Sequence, residues 1–110
     1  MRLLTAALLL LVASANAHAD SWTPNPKFSI DGSSYTETLI FISGLSYGLA
    51  YSAARLAAER KANFYCLPKG QNADSKLLID LLNRSLTGSQ SAETVTSAAL
   101  TKLAEAYPCR

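Results

Sequence analysis

The side chains able to carry covalent or metal chemistry are few and widely spaced: one histidine, His18, two cysteines, Cys66 and Cys109, and eight carboxylates. A Ser-His or Cys-His nucleophile needs an imidazole held beside it. His18 lies in, or at the edge of, an N-terminal segment marked for removal, so no such pair is expected. Zinc takes three or four ligands from cysteine, histidine and carboxylate. With both cysteines oxidised that set cannot be assembled at normal spacing, and a lone histidine has no second to share a copper ion. Asp31, Glu37, Glu59, Asp74, Asp80, Glu93 and Glu105 include no pair with an evident site, which leaves glycosidase-like chemistry open only if two of them meet in space. Phosphate-binding glycine loops are missing as well. The expectation is no catalytic residue, no metal and no cofactor: a protein that works by binding.

The compartment follows from the first residues. Met1 and Arg2 precede an uncharged apolar run, "LLTAALLLLVA", and then small residues, "SANAHA". This is the pattern of a secretory signal peptide, with cleavage before Asp20 and a second option after Ala17. The apolar core is short for a bilayer span. Residues 1–19 are therefore read as a signal peptide, 20–33 as an extended N-terminal segment, and 34–110 as the folded helical domain. An even cysteine count in an exported chain, without a Cys-x-x-Cys motif, favours a structural disulfide, and Cys66–Cys109 is the one intramolecular pair available. Closing a loop of roughly 44 residues stabilises a fold by about 4 kcal/mol in the chain-entropy model. That matters for a mature chain of about 91 residues, whose core is modest.

Lys and Arg number 10 against 8 Asp and Glu, so long-range charge points to no class of partner. No basic stripe interleaved with aromatics appears, and nucleic acid is not expected.

The folded part reads as all-α, a small bundle of about three main helices stapled by the disulfide. "DSWTPNPKFSIDGSS" has no usable period and should lie extended over the surface, with Trp22 and Phe28 pinning it. "SYTE" sets Glu37 three residues after the hydroxyl of Ser34, a capping box opening a first helix that should run to about Ala62. Its middle, Leu39 to Ala54, is apolar nearly all round, which argues for burial on more than one side. Two glycines, three serines and the arginine that ends the run argue against a membrane span. Gly44 and Gly48 form a G-x-x-x-G pair whose cost in a helix, about 1 kcal/mol each, calls for close approach of another helix, from this chain or from a second copy in a homodimer. Tyr47 and Tyr51 read as core aromatics.

A turn at "NFYCLPKGQN" follows, and Asn72 or Asp74 caps a second helix with Leu77, Leu78, Leu81 and Leu82 on one face. "TGSQSAET" reads as a second turn with Ser89 or Ser91 as cap. The third helix then presents Val95, Ala99, Leu103 and Ala106 until Pro108 stops it. The disulfide would join the ends of the first and third helices.

Taken together, "FISGLSYGLA", "FYCLPKG", the amphipathic second helix and "AALTKLAEAYPC" resemble the Rap/Tai family of periplasmic immunity proteins. These neutralise peptidoglycan amidases delivered between bacteria by type VI secretion. The likeness runs from about Ser34 to Cys109. It implies a small helical bundle with the Cys66–Cys109 disulfide, a periplasmic location, homodimers, and an amidase effector as partner. An inhibitor of this kind presents rigid polar loops to an enzyme cleft, and two segments qualify: Lys69, Gly70, Gln71 and Asn72, and Gly88, Ser89 and Gln90 with their neighbours. The rival expectations are an acid-stress chaperone of the HdeA type and an envelope protein without a toxin partner.

Overall fold

The computed structural model describes residues 25–110. The signal peptide, both cleavage options, Trp22 and the start of the extended segment lie outside these residues. Five elements follow one another: β1 (Phe28–Ile30), α1 (Tyr35–Ala58), α2 (Ser75–Asn83), β2 (Gly88–Gln90) and α3 (Ala92–Ala106). The fold is mostly helical with one disulfide, as expected, but it also holds a small parallel sheet.

Each helix starts where a local hydrogen bond makes it start. Ser34 Oγ accepts from the Glu37 amide at 3.1 Å while Glu37 Oε1 accepts from the Ser34 amide at 3.0 Å. This capping box satisfies two donors that would otherwise lack partners at the helix end. Asp74 caps α2 through the Leu77 amide, and Ser91 caps α3 through the Thr94 amide. At the other end, α1 stops at Ala58, short of the expected Ala62. The Arg60 amide donates to Ala57 and the Lys61 amide to Leu56, the paired bonds of a Schellman closure. That closure puts Arg60 at φ 57°, a left-handed position usually held by glycine.

The core gathers around α2. Leu78, Ile79, Leu81 and Leu82 are buried in it, Val95, Ala99 and Leu103 come from α3, and α1 contributes Thr38, Ile42 and Leu49. α2 packs on both other helices, and β1 lies against the start of α1. Phe28 and Ile30 of β1 are also buried: Phe28 pins the segment as expected, and Ile30 joins it in the core.

The strand pairing overturns the reading of "TGSQS" as a turn. Phe28, Ser29 and Ile30 pair in parallel with Gly88, Ser89 and Gln90. The Gly88 amide donates to Lys27 O at 3.0 Å, and the Asp31 amide to Gln90 O at 2.8 Å. The far edge of β1 is closed by α1, where the buried Thr38 Oγ1 accepts from the Ile30 amide at 3.2 Å. Asn83, at the end of α2, accepts from the Lys27 amide and donates to Asn25 O. A three-residue strand carries no periodicity to read, and its partner lies some sixty residues away in sequence.

Cys66 and Cys109 are joined, with their Cα atoms 4.9 Å apart. The Cys66 amide donates to Tyr107 O at 2.8 Å beside the bridge. The long connection after α1 is thereby tied to the end of α3.

Candidate functional site

The two sequence-predicted loops differ in kind. Lys69, Gly70, Gln71 and Asn72 are all exposed. Pro68 O accepts from the Gln71 amide at 3.0 Å and Gly70 sits at φ 86°, the pattern of a type II turn, whose third position demands positive φ. Cys66 anchors one side of this turn. On the other, Ser46 Oγ donates to Ala73 O at 2.8 Å, pinning the segment to α1. Gln71 Nε2 reaches the Tyr107 hydroxyl at 3.5 Å. The turn is exposed at its tip and fastened at both ends.

Gly88, Ser89 and Gln90 are instead part of the sheet. The Ser89 hydroxyl bonds the Asp31 carboxylate, and Gln90 Nε2 donates to Thr87 O. Their polar groups are largely occupied within the chain, so this segment has less to offer a partner than its sequence suggests.

The turn at residues 69–72 stands between two clefts. One, of about 570 Å³, runs between it and α1 and is lined by Ser43, Tyr47, Asn63, Gln71, Asn72 and Asp74 among others. The other, of about 380 Å³, shares Gln71, Asn72 and Asp74 and is completed by Lys76 and Asp80. Amides, hydroxyls and the rings of Tyr47 and Tyr65 line the larger cleft, alongside alanines and Leu67, a mixture suited to hydrogen bonding and stacking. Tyr47 was not foreseen here, because its neighbours in sequence suggested a core position.

Burial of α1 is the largest departure from expectation. Ile40, Tyr47 and Tyr51 are 66%, 76% and 69% exposed. A Cβ added at Gly44 or Gly48 would meet nothing within 4 Å, so among the described residues no helix approaches this pair. The reason is length. At 1.5 Å per residue, α1 with 24 residues is about 36 Å long and α2 with 9 about 14 Å. The shorter helix cannot cover the longer one, and Leu49 is the last buried residue of α1. By length and composition α1 would also suffice to cross a membrane.

Five of the seven described carboxylates are spent on structure. Glu37 and Asp74 cap helices, Asp31 bonds Ser89, Glu59 pairs with Arg55 and Lys61, and Glu105 pairs with Lys102. The Glu37 pKa is lowered by the hydrogen bonds from the Ser34 backbone and side chain, against a small opposing effect of desolvation. Among the described residues, no three of His, Cys, Asp and Glu gather to hold a metal ion. No protein-family model, curated protein or solved structure matches the chain.

Proposed function

We propose that this chain is a periplasmic immunity protein that binds and inhibits a peptidoglycan amidase delivered by type VI secretion, and that it performs no reaction of its own. The residues around Cys66 and Cys109 suggest the family, and one structural observation supports the mode of action. The turn Lys69–Asn72 is polar, exposed and fastened on both flanks, by the disulfide and by the Ser46–Ala73 hydrogen bond. A loop ordered in advance enters an enzyme cleft at little cost in conformational entropy. Gln71 and Asn72 supply amide donors and acceptors at its tip, matched to the polar surroundings of an amide-hydrolysing site.

The acid-stress chaperone reading has less to support it. Such a switch needs carboxylates whose protonation loosens the fold. Thr38 is the sole buried polar residue among those described, so no buried carboxylate there is poised to release apolar surface.

The test is calorimetric titration of the oxidised protein into peptidoglycan amidases delivered by type VI secretion in the same organism, with hydrolysis of peptidoglycan followed in parallel. Stoichiometric binding with loss of hydrolysis is expected. Replacing Gln71 and Asn72 together by alanine should weaken the complex tenfold or more while leaving the circular dichroism spectrum unchanged. The Ser89/Gln90 pair should matter less, since those side chains are engaged within the sheet. An amidase that neither binds nor loses activity would overturn the proposal.

A further inference from the structure

The larger cleft beside residues 69–72 has the lining of a site for an uncharged ligand rich in hydroxyls. Its α1 wall carries short side chains, Ser43, Ala50 and Ala53, and among them Tyr47 stands 76% exposed. The facing wall is the turn, with Gln71, Asn72 and Asp74, and the connection after α1 adds Asn63 and the buried Tyr65.

What these groups still have to give decides the chemistry. Asp74 Oδ1 accepts from the Leu77 amide, Ser46 donates to Ala73 O, and Asn63 Oδ1 accepts from the Phe64 amide. The side chains of Ser43, Tyr47, Asn72 and Ser75 make no hydrogen bond among the described residues. Asp74 is the one charged residue lining the cleft among those described. A phosphate or carboxylate would therefore meet a like charge with no cation to offset it. An extended peptide presents its donors and acceptors at regular steps and is matched by a strand edge, and neither β1 nor β2 borders this cleft.

A saccharide fits both kinds of surface. Side-chain amides and a carboxylate pair with neighbouring hydroxyls, since between them they donate and accept in fixed directions. The face of an aromatic ring is its negative side and meets the C–H bonds on the flat face of a pyranose. An acetamido group would pair with an asparagine or glutamine amide and set its methyl against Ala50, Ala53 or Leu67. We propose that this cleft binds a neutral saccharide of about two rings carrying acetamido groups, with Tyr47 stacked on one ring and Asn63, Gln71 and Asn72 bonding its polar edge. The volume of about 570 Å³ falls within the range of roughly 300–1,000 Å³ found for small-ligand sites. The inference requires no amidase partner and stands whether or not that reading holds.

The probe is N,N′-diacetylchitobiose, titrated into the isotope-labelled oxidised protein and followed by amide NMR. Saturating shifts are expected at the residues lining the cleft, the side-chain amides of Asn63, Gln71 and Asn72 among them, with a dissociation constant on the order of 1 mM. Tyr47→Ala should weaken binding tenfold or more and Asn72→Ala severalfold, both at exposed positions and both with the dispersion of a folded spectrum. Tyr51→Ala, one turn further along α1 and outside the cleft, should bind like wild type, which separates stacking at Tyr47 from general apolar adhesion to the helix. Cellobiose, which lacks the acetamido groups, should bind more weakly. No saturable shift at about 10 mM, ten times the expected constant, overturns the inference. So do shifts indifferent to Tyr47→Ala, or cellobiose binding as tightly. An alanine tetrapeptide that shifts the same residues at lower concentration would also overturn it, by assigning the cleft to peptide.

Discussion

α1 and α2 teach opposite lessons about apolar sequence. α2 is short and amphipathic, and four of its 9 residues are buried. α1 is long and apolar nearly all round, yet only three of its 24 residues are buried. An apolar residue is buried when a neighbour reaches it, and among the described residues no position of α1 after Leu49 is fully covered. A clean polar face tells which side of a helix meets the core. A helix without one leaves that choice to the lengths of the elements around it.

The largest expected effect breaks α2. Leu82→Ala removes a fully buried side chain, and a truncation of this kind costs about 2–5 kcal/mol. Tyr51→Ala on α1 should shift monomer stability by no more than about 0.5 kcal/mol, as exposed substitutions do. Urea unfolding of both variants checks the contrast. Equal losses would mean that Tyr51 is packed as closely as Leu82.

The disulfide comes next, because it secures the connection between these two helices. Cys109→Ser should lower stability by roughly 2–4 kcal/mol, and reduction of the wild type should reproduce it. The same unfolding experiment reads both. A variant as stable as the oxidised protein would show that the Tyr107–Cys66 hydrogen bond and the core hold the segment without the bridge.

A smaller change, and in the stabilising direction, is expected at the end of α1. Arg60 occupies a left-handed conformation that costs an L-residue roughly 1–2 kcal/mol and glycine almost nothing. Arg60→Gly should therefore stabilise the protein by about 1 kcal/mol. Thermal melts will show this only if the exposed end of α1 unfolds together with the core. No gain would mean that it frays separately.

The smallest effect is at the start of α1 and depends on pH. The hydrogen bonds from Ser34 hold the Glu37 carboxyl below its ordinary value of 4.5, so its stabilisation is fully present above that value and is lost as pH falls through the lower, folded one. Melting temperatures of the wild type should fall more steeply below pH 4.5 than those of Glu37→Gln, and the two curves should converge in acid. Parallel curves would mean that the capping box does not persist in solution.

Much of the local structure was legible in the sequence. Ser34 and Glu37, Asp74, Ser91 and Pro108 act within a turn or two of themselves, through hydrogen bonds or steric exclusion that need no distant partner. Leu78, Leu82, Val95, Ala99 and Leu103 could be placed because a polar face lies opposite them. The cysteine pair could be named because only two were available. For the candidate site, the exposure of residues 69–72 followed from the Pro and Gly that force a turn there, whereas Tyr47 in its cleft did not.

What the sequence by itself determined is where α1 starts and what stops α3, which side of α2 and α3 is apolar, and that two cysteines can close one loop. These follow from interactions spanning a few residues, or from counting. Only the tertiary structure decided that Gly88–Gln90 pairs with Phe28–Ile30, that Thr38 completes that sheet from a helix, and that Gly44, Tyr47, Gly48 and Tyr51 face outward. Each depends on which distant segments meet and how far they extend. With α2 about 14 Å long and α1 about 36 Å, the outer face of α1 is left without a neighbour among the described residues.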